Sequence, residues 1–222
     1  MTASSNHPQA GADPHAGQPV RRAGPDPASA RLVAIAVHGR GASAEDILAL
    51  AGEFRTTDVA YLAPQAAANS WYPHSFLTPM EMNEPWLTSA LRLVEQLVSS
   101  LDRQGIPSSR VAIVGFSQGA CLALEFAARN ARRYAAIAGL SGGLIGPPGT
   151  PRDYSGSLAG TPVFLGCSDV DAHIPVERVH ESAAVLSRLG AEVDARIYPG
   201  MGHTVNTDEV KAVRALMTLK IG

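Results

Sequence analysis

The stretch Val111-Ala112-Ile113-Val114-Gly115-Phe116-Ser117-Gln118-Gly119-Ala120-Cys121-Leu122-Ala123-Leu124-Glu125-Phe126 changes character in its middle. Its first four residues form a short continuous apolar run, the pattern of a strand buried on both faces. From Ala120 to Arg129 the chain is Ala-rich and favours a helix. Between them, Gly115-Phe116-Ser117-Gln118-Gly119 fits G-x-S-x-G, a sharp strand-to-helix turn that lifts a serine hydroxyl above the sheet edge. Glycine is needed two residues before and two after the serine, because side chains there would collide with the neighbouring chain. The following helix turns its first N–H groups and positive dipole end toward negative charge developing beside the serine. Gly139-Leu140-Ser141-Gly142-Gly143 fits the same pattern. Its sequel, Leu144-Ile145-Gly146-Pro147-Pro148, cannot start a helix. Ser117 is thus the expected nucleophile and Ser141 a loop residue at a strand end.

Outward from this turn, strand and helix patterns alternate. Leu32 to Val37 reads as a buried strand ending in His38-Gly39, and Ala44 to Phe54 as a helix behind a Ser43 cap. Val59 to Leu62 is a strand stopped by Pro64, and an irregular aromatic segment follows. A helix then carries Trp86, Leu87, Ala90, Leu91, Val94, Leu97, Val98 and Leu101 on one face, with Asn83 as its expected N-cap. Further strands are expected over 134–140, 162–165 and 193–197, with helices over 176–189 and behind Asn206 or Thr207. This order predicts the α/β class: a mostly parallel central sheet with helices on both faces and no large lid domain. Residues 1 to 28, broken by frequent Pro and Gly, read as a flexible tail whose His7 and His15 are solvated bystanders. Residues 29–222 read as a single domain.

The 222 residues are 45 % apolar and 17 % charged, with a formal net charge of −2 and no cluster of Lys and Arg. Electrostatics gives no reason to expect a nucleic-acid or anionic-membrane partner. No apolar run reaches membrane-span length, and no apolar core of a signal peptide stands at the start, so the expected location is cytoplasmic. Cys121 and Cys167 lie in apolar segments and are expected as buried free thiols.

A serine hydroxyl needs a base to take its proton, and that base must be held in one tautomer. Of seven histidines, His203 lies in Gly200-Met201-Gly202-His203-Thr204, between the last strand and the last helix, at the sheet end where α/β proteins place their chemistry. His74 sits in the aromatic loop and suits substrate contact; His180 lies within a helix. The orienting acid belongs between serine and histidine in chain order. Asp171 is favoured over Asp169, which reads as a turn or capping residue. Asp169, Asp171 and His173 also have the alternation of metal ligands. A serine–histidine–acid set accounts for them without a metal, and the chemistry needs no cofactor.

The string Gly115-Phe116-Ser117-Gln118-Gly119, with His38-Gly39, Asp171-Ala172-His173-Ile174-Pro175 and Gly202-His203 in the same order, resembles the carboxylesterase and acyl-protein thioesterase family of the α/β-hydrolase superfamily, also called phospholipase/carboxylesterase. The resemblance covers residues 31 to 220, and Ser70-Trp71-Tyr72 falls where that family carries an S-W-[FY] element near its acyl pocket. It implies an oxyanion hole made by the main-chain N–H groups of Arg40 and Gln118, with His38 shaping the loop. From the residues themselves, Trp71, Tyr72, Phe76 and Met80, with Leu77 and Met82, are expected to form an apolar acyl pocket or flap, the alternative being an ordinary surface loop packed over the sheet edge. Arg40 stands where the eukaryotic thioesterases carry Leu, and the 71–82 segment differs from theirs. The expected activity is hydrolysis of small-molecule esters of short to medium acyl chains, by a monomer or homodimer. The alternatives are an acyl thioesterase or lysophospholipase using the same residues, or a non-catalytic hydrolase-fold binding protein.

Overall fold

A computed structural model describes residues 13–219. Seven strands form one sheet in the order β1-β3-β2-β4-β5-β6-β7. They are β1 (Val20–Ala23), β2 (Leu32–Val37), β3 (Val59–Pro64), β4 (Val111–Phe116), β5 (Ala136–Leu140), β6 (Pro162–Ser168) and β7 (Glu192–Tyr198). All neighbours are parallel except β1, which runs antiparallel to β3. Every residue of β2, β3 and β5 is buried, as strands covered on both faces require.

The period of two along these strands divides the core. Val33, Ile35, Val37, Val111 and Ile113 face one side, where helices α2 (Trp86–Arg103), α3 (Gln118–Arg129) and α4 (Val176–Arg188) cover them. Leu32, Ala34, Ala112 and Val114 face the other side, against α1 (Ala44–Glu53) and α5 (Thr207–Thr218). Ser43 and Asn206 cap α1 and α5, each in a reciprocal capping box. Both cysteines are buried free thiols. Among the described residues no helix is long and apolar enough to cross a membrane.

Two expectations need correction. Asn83 does not cap α2: it is buried in a 3₁₀ turn over Met80–Asn83. There its side chain accepts from the His74 amide at 2.8 Å and donates to the Ser75 carbonyl at 3.1 Å. The first turn of α2 is closed by the Glu84 carboxylate, which accepts from the Thr88 amide and hydroxyl. The flexible tail expected over 1–28 also fails from residue 13 onward; His7 and its neighbours through 12 lie outside the described residues. Val20–Ala23 pairs with β3 as an edge strand, and its outward Arg21 and Arg22 keep that edge polar. A four-residue strand with one apolar contact, Val20, and an Arg21–Glu45 ion pair to α1 leaves no hydrophobic period to read.

His15 is 1 % exposed rather than solvated. Its Nδ1 accepts from the Ala67 amide at 3.1 Å, so Nε2 carries the hydrogen donated to the Trp71 carbonyl at 3.0 Å. The ring lies 5.4 Å from both Trp71 and Trp86. Burial disfavours its charged form and pulls its pKa below the ordinary histidine value. The N-terminal segment is thus a prop beneath the aromatic loop. His15→Ala, which strands a buried amide and a buried carbonyl, is expected to lower stability by about 2–4 kcal/mol. His180→Ala, on the exposed face of α4, should change it by less than about 0.5 kcal/mol. Urea denaturation of the two variants checks the difference.

Candidate active site

The turn between β4 and α3 is built as tightly as its glycines imply. Ser117 has φ 56° and ψ −121°, in the left-handed half of conformational space that L residues avoid. A Cβ on Gly115 would collide with the backbone of Gly119, and one on Gly119 with the carbonyls of Val37 and His38. The elbow is therefore wedged against the end of β2. Gly39 continues this approach: a Cβ there would lie 3.3 Å from that of Ser117. No backbone hydrogen bond from the amide of Arg40 or Gln118 is formed among the described residues, so both remain available beside the serine.

His203 lies on the loop between β7 and α5, where Gly200 and Gly202 take positive φ of 65° and 76°. The loop is tied to the end of β6. The Asp169 carboxylate accepts from the Gly200 amide at 2.8 Å, and the Ser168 hydroxyl accepts from the Gly202 amide at 3.2 Å. This brings His203 Nε2 to 2.8 Å from Ser117 Oγ and His203 Nδ1 to 2.7 Å from Asp171 Oδ2. The Asp171 side chain is fully buried, and that of His203 is 21 % exposed. Burial works against the Asp171 charge, but the His203 ring and the His173 and Ile174 amides outweigh it, holding its pKa below the usual carboxylate value. The buried Cys167 thiol, 3.7 Å away, also donates to Oδ2.

Ser141 has φ 52° but is fully buried at the end of β5, its hydroxyl 3.4 Å from the Thr204 carbonyl. It braces the histidine loop instead of opening onto the cleft. The side chains of the metal reading are directed elsewhere: Asp169 to Gly200, Asp171 to His203, and the His173 ring edge-on to His203 at 4.8 Å.

A cleft of about 490 Å³ opens over Ser117. Tyr72, Phe76, Cys121, Phe116 and Ile174 supply its apolar lining, and Arg40, His74 and His173 stand around it. Of the four expected pocket residues, Tyr72 and Phe76 line the cleft; Trp71 and Met80 do not. Trp71 is fully buried behind the wall, its indole donating to the His38 carbonyl at 2.8 Å. Met80 lies against Arg129 on α3, and Met82 is 51 % exposed. An indole needs a partner for its N–H when buried, and here the partner is the loop that must be shaped. His38 shapes that loop too: Nε2 accepts from the Ala66 amide and Nδ1–H donates to the Gly39 carbonyl.

Sequence reading missed the role of the Gln118 side chain. Its Oε1 accepts from the Trp71 amide at 2.9 Å and its Nε2 donates to the Tyr72 carbonyl at 2.8 Å, so the elbow residue clamps the aromatic wall. The signal was the glutamine itself, placed beside the serine where main-chain function alone would accept any residue. The Arg40 side chain also lies against this wall instead of reaching free into solvent. It donates to Ser70 Oγ and to the Pro73 and His74 carbonyls.

With this geometry the chain belongs to the phospholipase/carboxylesterase family, whose model matches residues 25–221. A solved phospholipase/carboxylesterase from Dyadobacter fermentans is 41 % identical, with a TM-score of 0.87, over 90 % of this chain and 96 % of that one. Acyl-protein thioesterase 1 of Gibberella zeae is 30 % identical over 139 residues, 59 % of this chain. A probable carboxylesterase of Oryza sativa is 26 % identical over 74 % of this chain and 66 % of its own length. The stretch matched to the Gibberella thioesterase is 58 % of that relative's length.

Glu209, in the first turn of α5, is fully buried; Oε2 accepts from the Asn206 amide, while Oε1 has no partner among the described residues. Burial, aided by Asp208 and opposed by the Asn206 amide, raises its pKa from 4.5 to about 7. The folded chain then holds a proton that the unfolded chain releases, so this group lowers stability as pH rises through that window, and the loss is complete above it. The full effect is about 3 kcal/mol. Glu209→Gln keeps the acceptor and cannot ionise. Its urea midpoint should fall less than that of the wild type between pH 5 and pH 8; parallel curves would refute the assignment.

Proposed function

We propose that the protein is a serine carboxylesterase acting on small esters of short to medium acyl chains through an acyl-enzyme. The observation that carries this reading is the unbroken chain from Ser117 Oγ through the His203 ring to Asp171 Oδ2, at 2.8 and 2.7 Å, on the floor of an open cleft. Ser117 Oγ attacks the ester carbonyl as His203 Nε2 takes its proton. Asp171, charged and buried, holds Nδ1–H and stabilises the imidazolium that forms. The amides of Arg40 and Gln118 donate to the oxyanion, and they need no reorganisation because the wedged elbow already fixes them. His203 returns the proton to the leaving alcohol. Water, deprotonated by the same ring, then releases the acid. The cleft volume and the Tyr72 and Phe76 walls support a modest acyl group. A thioester runs through the same steps, and the curated relatives named as thioesterases keep that second reading in view.

Hydrolysis of a p-nitrophenyl acyl series by wild type and Ser117→Ala, with chelator present, is the test. The wild type should turn over with an optimum among short to medium chains, and the substitution should lower kcat by roughly 10⁴-fold or more. Equal rates in both proteins would remove Ser117 from the mechanism. Matched oxygen and sulfur esters then separate esterase from thioesterase.

A further inference from the structure

The charge around the cleft is one-sided. Its lining includes Arg40 and three histidines and no Asp or Glu. Asp171 lies sealed behind His203 with no exposed side-chain surface. Arg129 is paired with Glu125 at 2.6 Å, and Arg152 and Arg178 with Glu181 at 2.9 Å. Arg40 instead meets only uncharged oxygens, the Ser70 hydroxyl and the Pro73 and His74 carbonyls, with the Tyr72 ring 5.8 Å beneath it.

The donor count sharpens the point. A guanidinium has five N–H donors. Both Nη1 hydrogens and one on Nη2 are engaged, so Nε–H and the second Nη2 hydrogen have no protein acceptor among the described residues. The three bonds hold the plane of the group in place, so little further side-chain entropy is lost when an anionic oxygen meets the remaining donors.

We propose that the cleft selects esters bearing an anionic oxygen group, a carboxylate or a phosphate, which docks on Arg40. This substrate class rests on the ester-hydrolase reading, and Arg40 acquires two duties: clamp of the 70–74 wall and electrostatic anchor.

Binding to Ser117→Ala, measured by calorimetry, isolates the anchor from the chemistry. Two matched pairs place the charge on opposite sides of the ester: monomethyl against dimethyl glutarate, and 2-acetoxyethyl phosphate against 2-methoxyethyl acetate. At least one anionic member should bind roughly tenfold more tightly than its neutral partner at low ionic strength, with the ratio shrinking as salt is added. The pair that shows the preference tells whether the anion sits on the acyl or the alcohol side. In the Ser117→Ala background, Arg40→Gln should bring the ratio near one. Arg40→Lys, which keeps the charge while losing the fork geometry, should retain part of it. Anionic and neutral members binding alike, or a preference that survives Arg40→Gln, overturns the inference. Wild-type turnover of dimethyl glutarate reads the esterase separately: turnover without anion preference defeats only the anchor, whereas preference without turnover of any member defeats only the esterase.

Discussion

The close approach of two backbones, α3 at Gly119 against the end of β2 at Val37 and His38, governs the arrangement of the site. It is possible only because neither Gly115 nor Gly119 has a side chain. It forces Ser117 into a strained conformation that exposes its hydroxyl, and it sets the first turn of α3 beside the loop after β2. The strain is sustained by the sheet, since β4 is hydrogen-bonded on both sides, to β2 and β5, and has no freedom to relax.

Around that fixed point the other loops are held by polar groups with assigned partners. The histidine loop hangs from Ser168 and Asp169 at the end of β6 and rests on Ser141 at the end of β5. The aromatic wall is held by Gln118, Arg40, Asn83 and, through Trp71, His15. Glu125, buried on α3, anchors the following loop by accepting from the Ile145 amide and the Tyr154 hydroxyl. Loops that carry chemistry are irregular, so their backbone groups need such side-chain partners where secondary structure supplies none.

What was legible in the sequence follows from this division. The parallel strands announce themselves because burial on both faces demands continuous apolar runs, and the elbow because its steric demand admits only glycine. Ser117, His203 and Asp171 could be named from their order along the chain, and the structure brings the three side chains into hydrogen-bond contact. The props were not legible. His15 acts across 56 residues on Trp71, and Gln118 across 47; neither partnership leaves a local period. Val20–Ala23 was hidden because an edge strand needs only backbone to pair. Trp71 was assigned to the cleft by its neighbourhood, yet its indole N–H found the His38 carbonyl behind the wall, a partnership across 33 residues that leaves no local sequence pattern.

Because Gln118, the residue after Ser117 in the elbow, grips the wall with its side chain, the wall and the elbow move as one mechanical part. A change that reshapes the Trp71–Tyr72 backbone is transmitted to the geometry beside Ser117. The ring of Phe76 lies outside that coupling, whereas His173 and Ile174, on the loop after β6, hold the Asp171 carboxylate with their amides and rest the His173 ring on His203. Evolutionary drift in what the cleft admits can therefore accumulate at Phe76 with the surroundings of Ser117 intact, and deliberate reshaping of the cleft has its widest latitude there.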